Sequence, residues 1–142
     1  MTLSKTGDYA VRAALALAAS YESDGYVTIA DIADRMSLPP TFTPQIVGKL
    51  IRAGIATSKP GRGGGYRLAR DPSEISMLQV VEAAEGSLIN TRCTLRGGPC
   101  LRDDRCVVHD TWFAAEEAFR RELDATALAH VAGVSRPHAG AQ

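Results

Sequence analysis

The 142-residue chain has no net charge, no long apolar run, no internal repeat and only three cysteines, and each shortage removes a class of protein. Its apolar and charged shares, 45% and 23%, belong to an ordinary globular domain and exclude both wholesale disorder and a membrane span. The stretch closest to an export signal, Ala13 to Ala19, follows Asp8 and Arg12, which stand where such a signal needs an unbroken apolar core. An amphipathic first helix explains it better. An odd number of cysteines without an export signal points to a reducing cytoplasm, where thiols bind metal or react rather than pair. The triple glycine 63–65 neither opens a G-x-G-x-x-G helix nor ends in glycine-lysine-serine/threonine, so it is not a nucleotide loop. C-x2-C is absent too, as is any acid/base constellation, which argues against a redox enzyme.

What the chain does have is unevenly placed. From Thr41 to Arg70 there are six basic residues (Lys49, Arg52, Lys59, Arg62, Arg67, Arg70) and no acid, followed by four acids and no base from Asp71 to Asn90. A basic block of this length attracts phosphate even within a neutral total. It lies inside a recognisable order of elements. Gly7 to Ser20 carries Val11, Ala14, Leu15 and Ala18 at helical spacing. Thr28 and Asp31 predict a capped helix through about Met36, which Ser37-Leu-Pro-Pro40 breaks. A further helix is expected from Thr41 or Thr43, capped by a hydroxyl, with Pro44 in its first turn, Ile46, Val47, Leu50 and Ile51 inward and Gly54 as its stop. Two helices joined by a short turn form a helix-turn-helix, whose second member is expected to expose Thr41, Thr43, Gln45, Lys49 and Arg52 toward base edges and phosphates. Residues 55–59 and 66–70 alternate apolar with polar around a glycine-rich turn and predict a β-hairpin. Helix, turn, helix, hairpin is the order of a winged helix, with Lys59 and Arg62 at the wing tip. Thr28 and Gly63 complete the expected DNA-contacting set.

Ser76 and Gln79 form a second capping box that opens a helix ending at Gly86. All three cysteines follow, spaced C-x6-C-x5-C-x2-H over Cys93, Cys100, Cys106 and His109. Soft thiolates with an imidazole suit zinc, copper(I) or an iron-sulfur cluster. The separations are wider than the paired cysteines of most structural zinc sites and allow a loop to wrap something larger than one ion. Beyond the loop, Val108, Trp112, Ala115, Phe119 and Leu123 make an apolar stripe that needs a partner, and a second copy of the same helix is a natural one. A short last helix capped by Asp124 or Thr126 and a disordered tail complete the chain. The expected fold is therefore mainly α with a small β-hairpin wing: a winged helix-turn-helix domain over 1–86, a cysteine-rich loop over 87–109, a long C-terminal dimerisation helix and terminal helix over 107–133, and a tail over 134–142.

The opening Met-Thr-Leu-Ser-Lys-Thr-Gly-Asp-Tyr9-Ala-Val-Arg-Ala, the wing Gly-Gly-Gly-Tyr66-Arg-Leu, the helix Ile75-Ser-Met-Leu-Gln-Val-Val-Glu and the three-cysteine loop together resemble the Rrf2 family of bacterial winged-helix transcription regulators, over roughly residues 1 to 133. The resemblance implies a homodimer that crosses long helices on a pseudo-palindromic double-stranded operator. In cluster-bearing members, DNA affinity changes when an iron-sulfur cluster is bound, lost or modified. In the branch that regulates cluster assembly, Cys93, Cys100, Cys106 and His109 match the three cysteines and histidine that hold a 2Fe-2S cluster, the first expectation here. In the nitric-oxide-sensing branch, Asp8 matches a carboxylate given to a 4Fe-4S cluster of the partner subunit, the alternative. The chain departs from the family in a first cysteine gap of six residues rather than five and in Pro60, near a common wing arginine.

Overall fold

The computed structural model describes residues 3–23, 25–89, 93, 98 and 106–134. Cys100, most of the expected loop 87–109 and the tail beyond Val134 lie outside the described residues.

Helix α1 (Lys5–Ala19) buries Ala10, Ala13, Ala14, Ala16 and Leu17, small side chains that let the other helices approach closely. Its first turn is fixed from two sides. The Ser4 hydroxyl accepts from the Gly7 amide, and the Glu85 carboxylate accepts from the Ser4 hydroxyl and, at 2.9 Å, from the Ser4 amide. Gly7 leaves room for that carboxylate, since a Cβ there would collide with it. Helix α2 (Ile29–Met36) starts at Thr28, whose hydroxyl accepts from the Asp31 amide at 3.2 Å, and stops at Ser37 in the left-handed conformation (φ 54°). Helix α3 (Thr43–Arg52) has Phe42 at its cap position and no side-chain cap bond, so neither Thr41 nor Thr43 caps it as expected. Gly54 follows its last turn at φ 75°, as the stop signal predicted.

Strands β1 (Ala56–Lys59) and β2 (Gly65–Leu68) pair antiparallel, with Ala56 opposite Leu68 and Lys59 opposite Gly65. The hairpin is shorter than the predicted 55–59 and 66–70, although Ala69 still donates to the Ile55 carbonyl at 2.8 Å. Two 2.8 Å bonds between Val27 and Tyr66 tie the approach to α2 onto the wing. The tie explains one glycine: a Cβ on Gly65, at φ 145°, would stand 2.6 Å from the Val27 carbonyl oxygen.

A 3-10 turn over Pro72–Glu74, not expected from the sequence, follows β2. The Ser73 hydroxyl and amide both bond the Asp71 carboxylate and hold its pKa below the ordinary value. Helix α4 (Met77–Glu85) opens with both bonds of the predicted capping box, Gln79 amide to Ser76 hydroxyl at 3.1 Å and Ser76 amide to Gln79 side chain at 2.9 Å, and ends at Gly86.

Helix α5 (His109–Ala125) and helix α6 (Leu128–Val134) close the described chain. The Thr126 hydroxyl donates to the Glu122 carbonyl at 2.8 Å, finishing α5 rather than capping α6. The chain then returns to the winged domain: Met77 donates to the Thr126 carbonyl at 2.9 Å and Leu128 to the Ile75 carbonyl at 2.7 Å. Leu128 is fully buried, in one core with Leu17, Ile32, Val47, Leu50, Ile55, Ile75 and Val80. Helix α5 buries none of its residues. At 17 residues it runs about 25 Å, and its C-terminal Leu123 leans on the core while its earlier apolar side chains do not. The observed architecture is a mostly helical winged helix, and no described helix is long and apolar enough to cross a membrane.

Candidate nucleic-acid interface and cysteine site

Helix α3 separates its two faces cleanly. Thr43, Ile46, Val47 and Leu50 are buried, while Thr41, Phe42, Pro44, Gln45 and Arg52 are exposed and Lys49 is half-buried. Thr43 therefore corrects the expected DNA-facing set. It is completely buried, and its hydroxyl donates to the Pro39 carbonyl at 2.9 Å, locking the turn between α2 and α3. A threonine at the first helical position can satisfy itself on a preceding carbonyl as readily as it can face outward. Thr28 is exposed, with its oxygen occupied as the α2 cap and its proton still available to an acceptor.

The six basic residues divide by role. Arg67 bonds the Tyr21 carbonyl at 3.2 Å and stacks over the Tyr21 ring at 4.8 Å, and Arg70 clamps the Gly54 carbonyl at 3.0 Å and the Gln79 side chain at 3.2 Å. Both are structural ties. Lys49, Arg52, Lys59 and Arg62 are left for an outside anion. Lys59 sits over the Tyr26 ring at 5.5 Å, which steadies the wing ammonium without neutralising it. Gly63 lies exposed at the wing tip with φ 69°. Helix and wing thus carry these cations within a segment, residues 41–70, that holds no acid, the kind of basic block that phosphate backbones attract. One exposed residue of this face escaped the sequence reading: Phe42, three residues before Gln45.

The cysteine site is described in part. Cys93 and Cys106 are free and half-buried, and the Cys93 amide donates to the Gly98 carbonyl at 2.7 Å. His109 is the first residue of α5, half-buried, its ring stacked on Phe113 with centroids 6.2 Å apart and an 11° interplanar angle. Among the described residues no three candidate ligands converge on one point, and Cys100 lies outside that set. The donor chemistry, reduced thiols and an imidazole on one segment, fits an iron-sulfur cluster. Asp8, the alternative donor, is already engaged: Arg12 forks onto it, with Nε 3.1 Å from one carboxylate oxygen and Nη2 3.0 Å from the other, while Nη1 of the same guanidinium donates to the Met36 carbonyl.

A family model described as an iron-dependent transcriptional regulator, Rrf2, matches residues 3–133. The chain belongs to the Rrf2 family. It is 38% identical over 112 residues to the HTH-type transcriptional regulator IscR of Escherichia coli K12 (DH10B), covering 79% of this chain and 68% of that one, and equally so to IscR of Cronobacter sakazakii. Among solved structures it resembles T. potens IscR, with a TM-score of 0.78 and 28% identity over 100% of this chain and 93% of that one. CymR, the global cysteine regulator of B. subtilis, shares the fold at a TM-score of 0.83 and 24% identity, over 96% of this chain and 99% of the other. Membership makes this Rrf2 protein a DNA-binding transcriptional regulator rather than an enzyme.

The division of roles on the DNA face predicts a division of effects. Lys49→Ala and Arg62→Ala are each expected to weaken binding to specific and random duplexes alike and to shallow the log-log salt dependence by about one unit per lost phosphate contact. Gln45→Ala should instead cost about 1–3 kcal/mol on a selected duplex and little on random DNA. Fluorescence anisotropy at several salt concentrations separates the two patterns, and three identical profiles would remove Gln45 as a reader.

Proposed function

We propose that this Rrf2 protein is a homodimeric regulator whose affinity for a double-stranded operator is set by an iron-sulfur cluster, reporting iron-sulfur or redox status in the cytoplasm. Cys93, Cys100, Cys106 and His109 are the proposed ligands, and 2Fe-2S is the favoured cluster. The observation that carries the reading is the place where two of these donors stand. His109 opens α5 and Cys106 stands three residues before it; the helix has no fully buried residue within its own chain and leaves Trp112 and Phe119 exposed, with Val108 exposed at its cap. Just past its far end the Thr126 carbonyl accepts from the Met77 amide at the start of α4, and Leu128, the first residue of α6, is buried in the core. A change in how residues 93–109 are held therefore moves one end of a rigid rod whose other end is anchored in the winged domain. Bound iron and sulfide would supply the rigid junction that joins the loop to the start of that rod. The chain's own part is to carry the change along α5 and across a twofold axis, altering the spacing of two α3 helices that must enter adjacent major grooves.

Protein prepared without oxygen is expected to be coloured and to contain iron and acid-labile sulfide in the ratio of one cluster per chain. A colourless protein with stoichiometric zinc would replace the sensing site with a structural one.

A further inference from the structure

We propose that Phe42 reads the 5-methyl group of a thymine in the operator's major groove. The inference rests on the DNA-binding reading above and adds a specificity-determining residue to it.

Phe42 is 53% exposed, with an apolar ring that nothing in the chain's own core claims. Although it precedes α3, its backbone is already helical (φ −93°, ψ −24°), so the helical spacing extends back through it. Phe42, Gln45, Lys49 and Arg52 follow one another at intervals of three, four and three and share a face, with buried Thr43, Ile46, Val47 and Leu50 turned the other way. The ring thus heads the stripe that holds the base-reading and phosphate-binding candidates, at the end of a recognition helix that enters the groove first.

The local backbone decides what it meets there. A helix start commonly captures phosphate with free amides, but this one has few to give. The amides of Phe42 and Thr43 both donate to the Pro39 carbonyl, at 3.0 and 3.1 Å, and Pro44 has none. Phenylalanine has no hydroxyl or charge with which to bind phosphate itself. What remains is apolar contact, and among base edges in the major groove the thymine methyl is the group that offers it. The same bonds to Pro39, with the Ile46 amide on the Phe42 carbonyl at 3.1 Å, hold the ring's backbone in place before DNA arrives.

The test begins by selecting duplexes from a random pool with the full chain and with Phe42→Ala. The wild type is expected to select a thymine that the variant does not. Replacing that thymine by deoxyuridine, which removes only the methyl, should weaken wild-type binding about fourfold per half-site, the worth of one buried methyl group. Phe42→Ala should bind the thymine and uracil duplexes equally, while matching wild type in melting temperature. Equal uracil penalties in the two proteins, or no penalty in the wild type, would overturn the proposal. A wild type that selects no sequence at all would instead overturn the operator-binding reading beneath it.

Discussion

If α5 pairs two copies as proposed, Trp112→Glu combined with Phe119→Glu is expected to give a folded monomer that binds its selected duplex about 10²–10⁴-fold more weakly, the range by which two linked sites exceed one. Both side chains are exposed in the single chain, Trp112 by 46% and Phe119 by 38%, and α5 as a whole buries nothing there. Neither side chain belongs to the buried core, so carboxylates at these positions leave the packing of the winged domain intact. On a twofold interface each carboxylate would be introduced on both subunits, and an unpaired charge buried away from water costs several kcal/mol. Sedimentation and anisotropy measure the two halves of the effect, and circular dichroism with a thermal melt confirms that the winged domain survives. A double variant that stays dimeric would place the interface elsewhere. A monomer with undiminished affinity would mean that one half-site suffices.

The parts of the fold that follow from local chemistry were legible in the sequence. The Ser76/Gln79 capping box, the Thr28 cap, the Gly54 stop and the order of helix, helix, hairpin all rest on residues that act within a few positions of themselves. What escaped depends on partners far along the chain. One exception is local: Thr43 has the composition of an exposed cap, but its hydroxyl turns back to the Pro39 carbonyl four residues earlier and the side chain is buried. The return of Leu128 to the core needs the Ile75 carbonyl, which no periodicity announces. Arg67 and Arg70 counted toward a basic block until Tyr21, Gly54 and Gln79 were seen to hold them, so the interface charge is smaller than its sequence total. Phe42 drew no reading from the sequence. Its spacing from Gln45 was open to view, but a phenylalanine beside a predicted helix reads as core until its exposure is measured.

The ligand set yields the other large effect, because the chain offers two fourth donors in different electrostatic settings. Cys106→Ala is expected to abolish visible absorption and to shift operator affinity by 5- to 150-fold, about 1–3 kcal/mol of coupling between site and DNA. His109→Ala should perturb the same spectrum and reduce the same shift. Asp8→Ala should change neither, since in the free chain its carboxylate is already forked by Arg12, and a part-exposed pair of this kind contributes about 0–1 kcal/mol. For Asp8 to serve a cluster of the partner subunit, that pair must first open. His109 lies three residues from Cys106 in sequence, and the start of α5 fixes its backbone. Mössbauer and absorption spectra of the three variants, recorded beside duplex affinities without oxygen, distinguish the cases. A 4Fe-4S spectrum sensitive at Asp8 and indifferent at His109 would reverse the assignment and make nitric oxide the signal to test. Affinity unchanged by Cys106→Ala would leave the cysteines a structural part with no hold on operator binding.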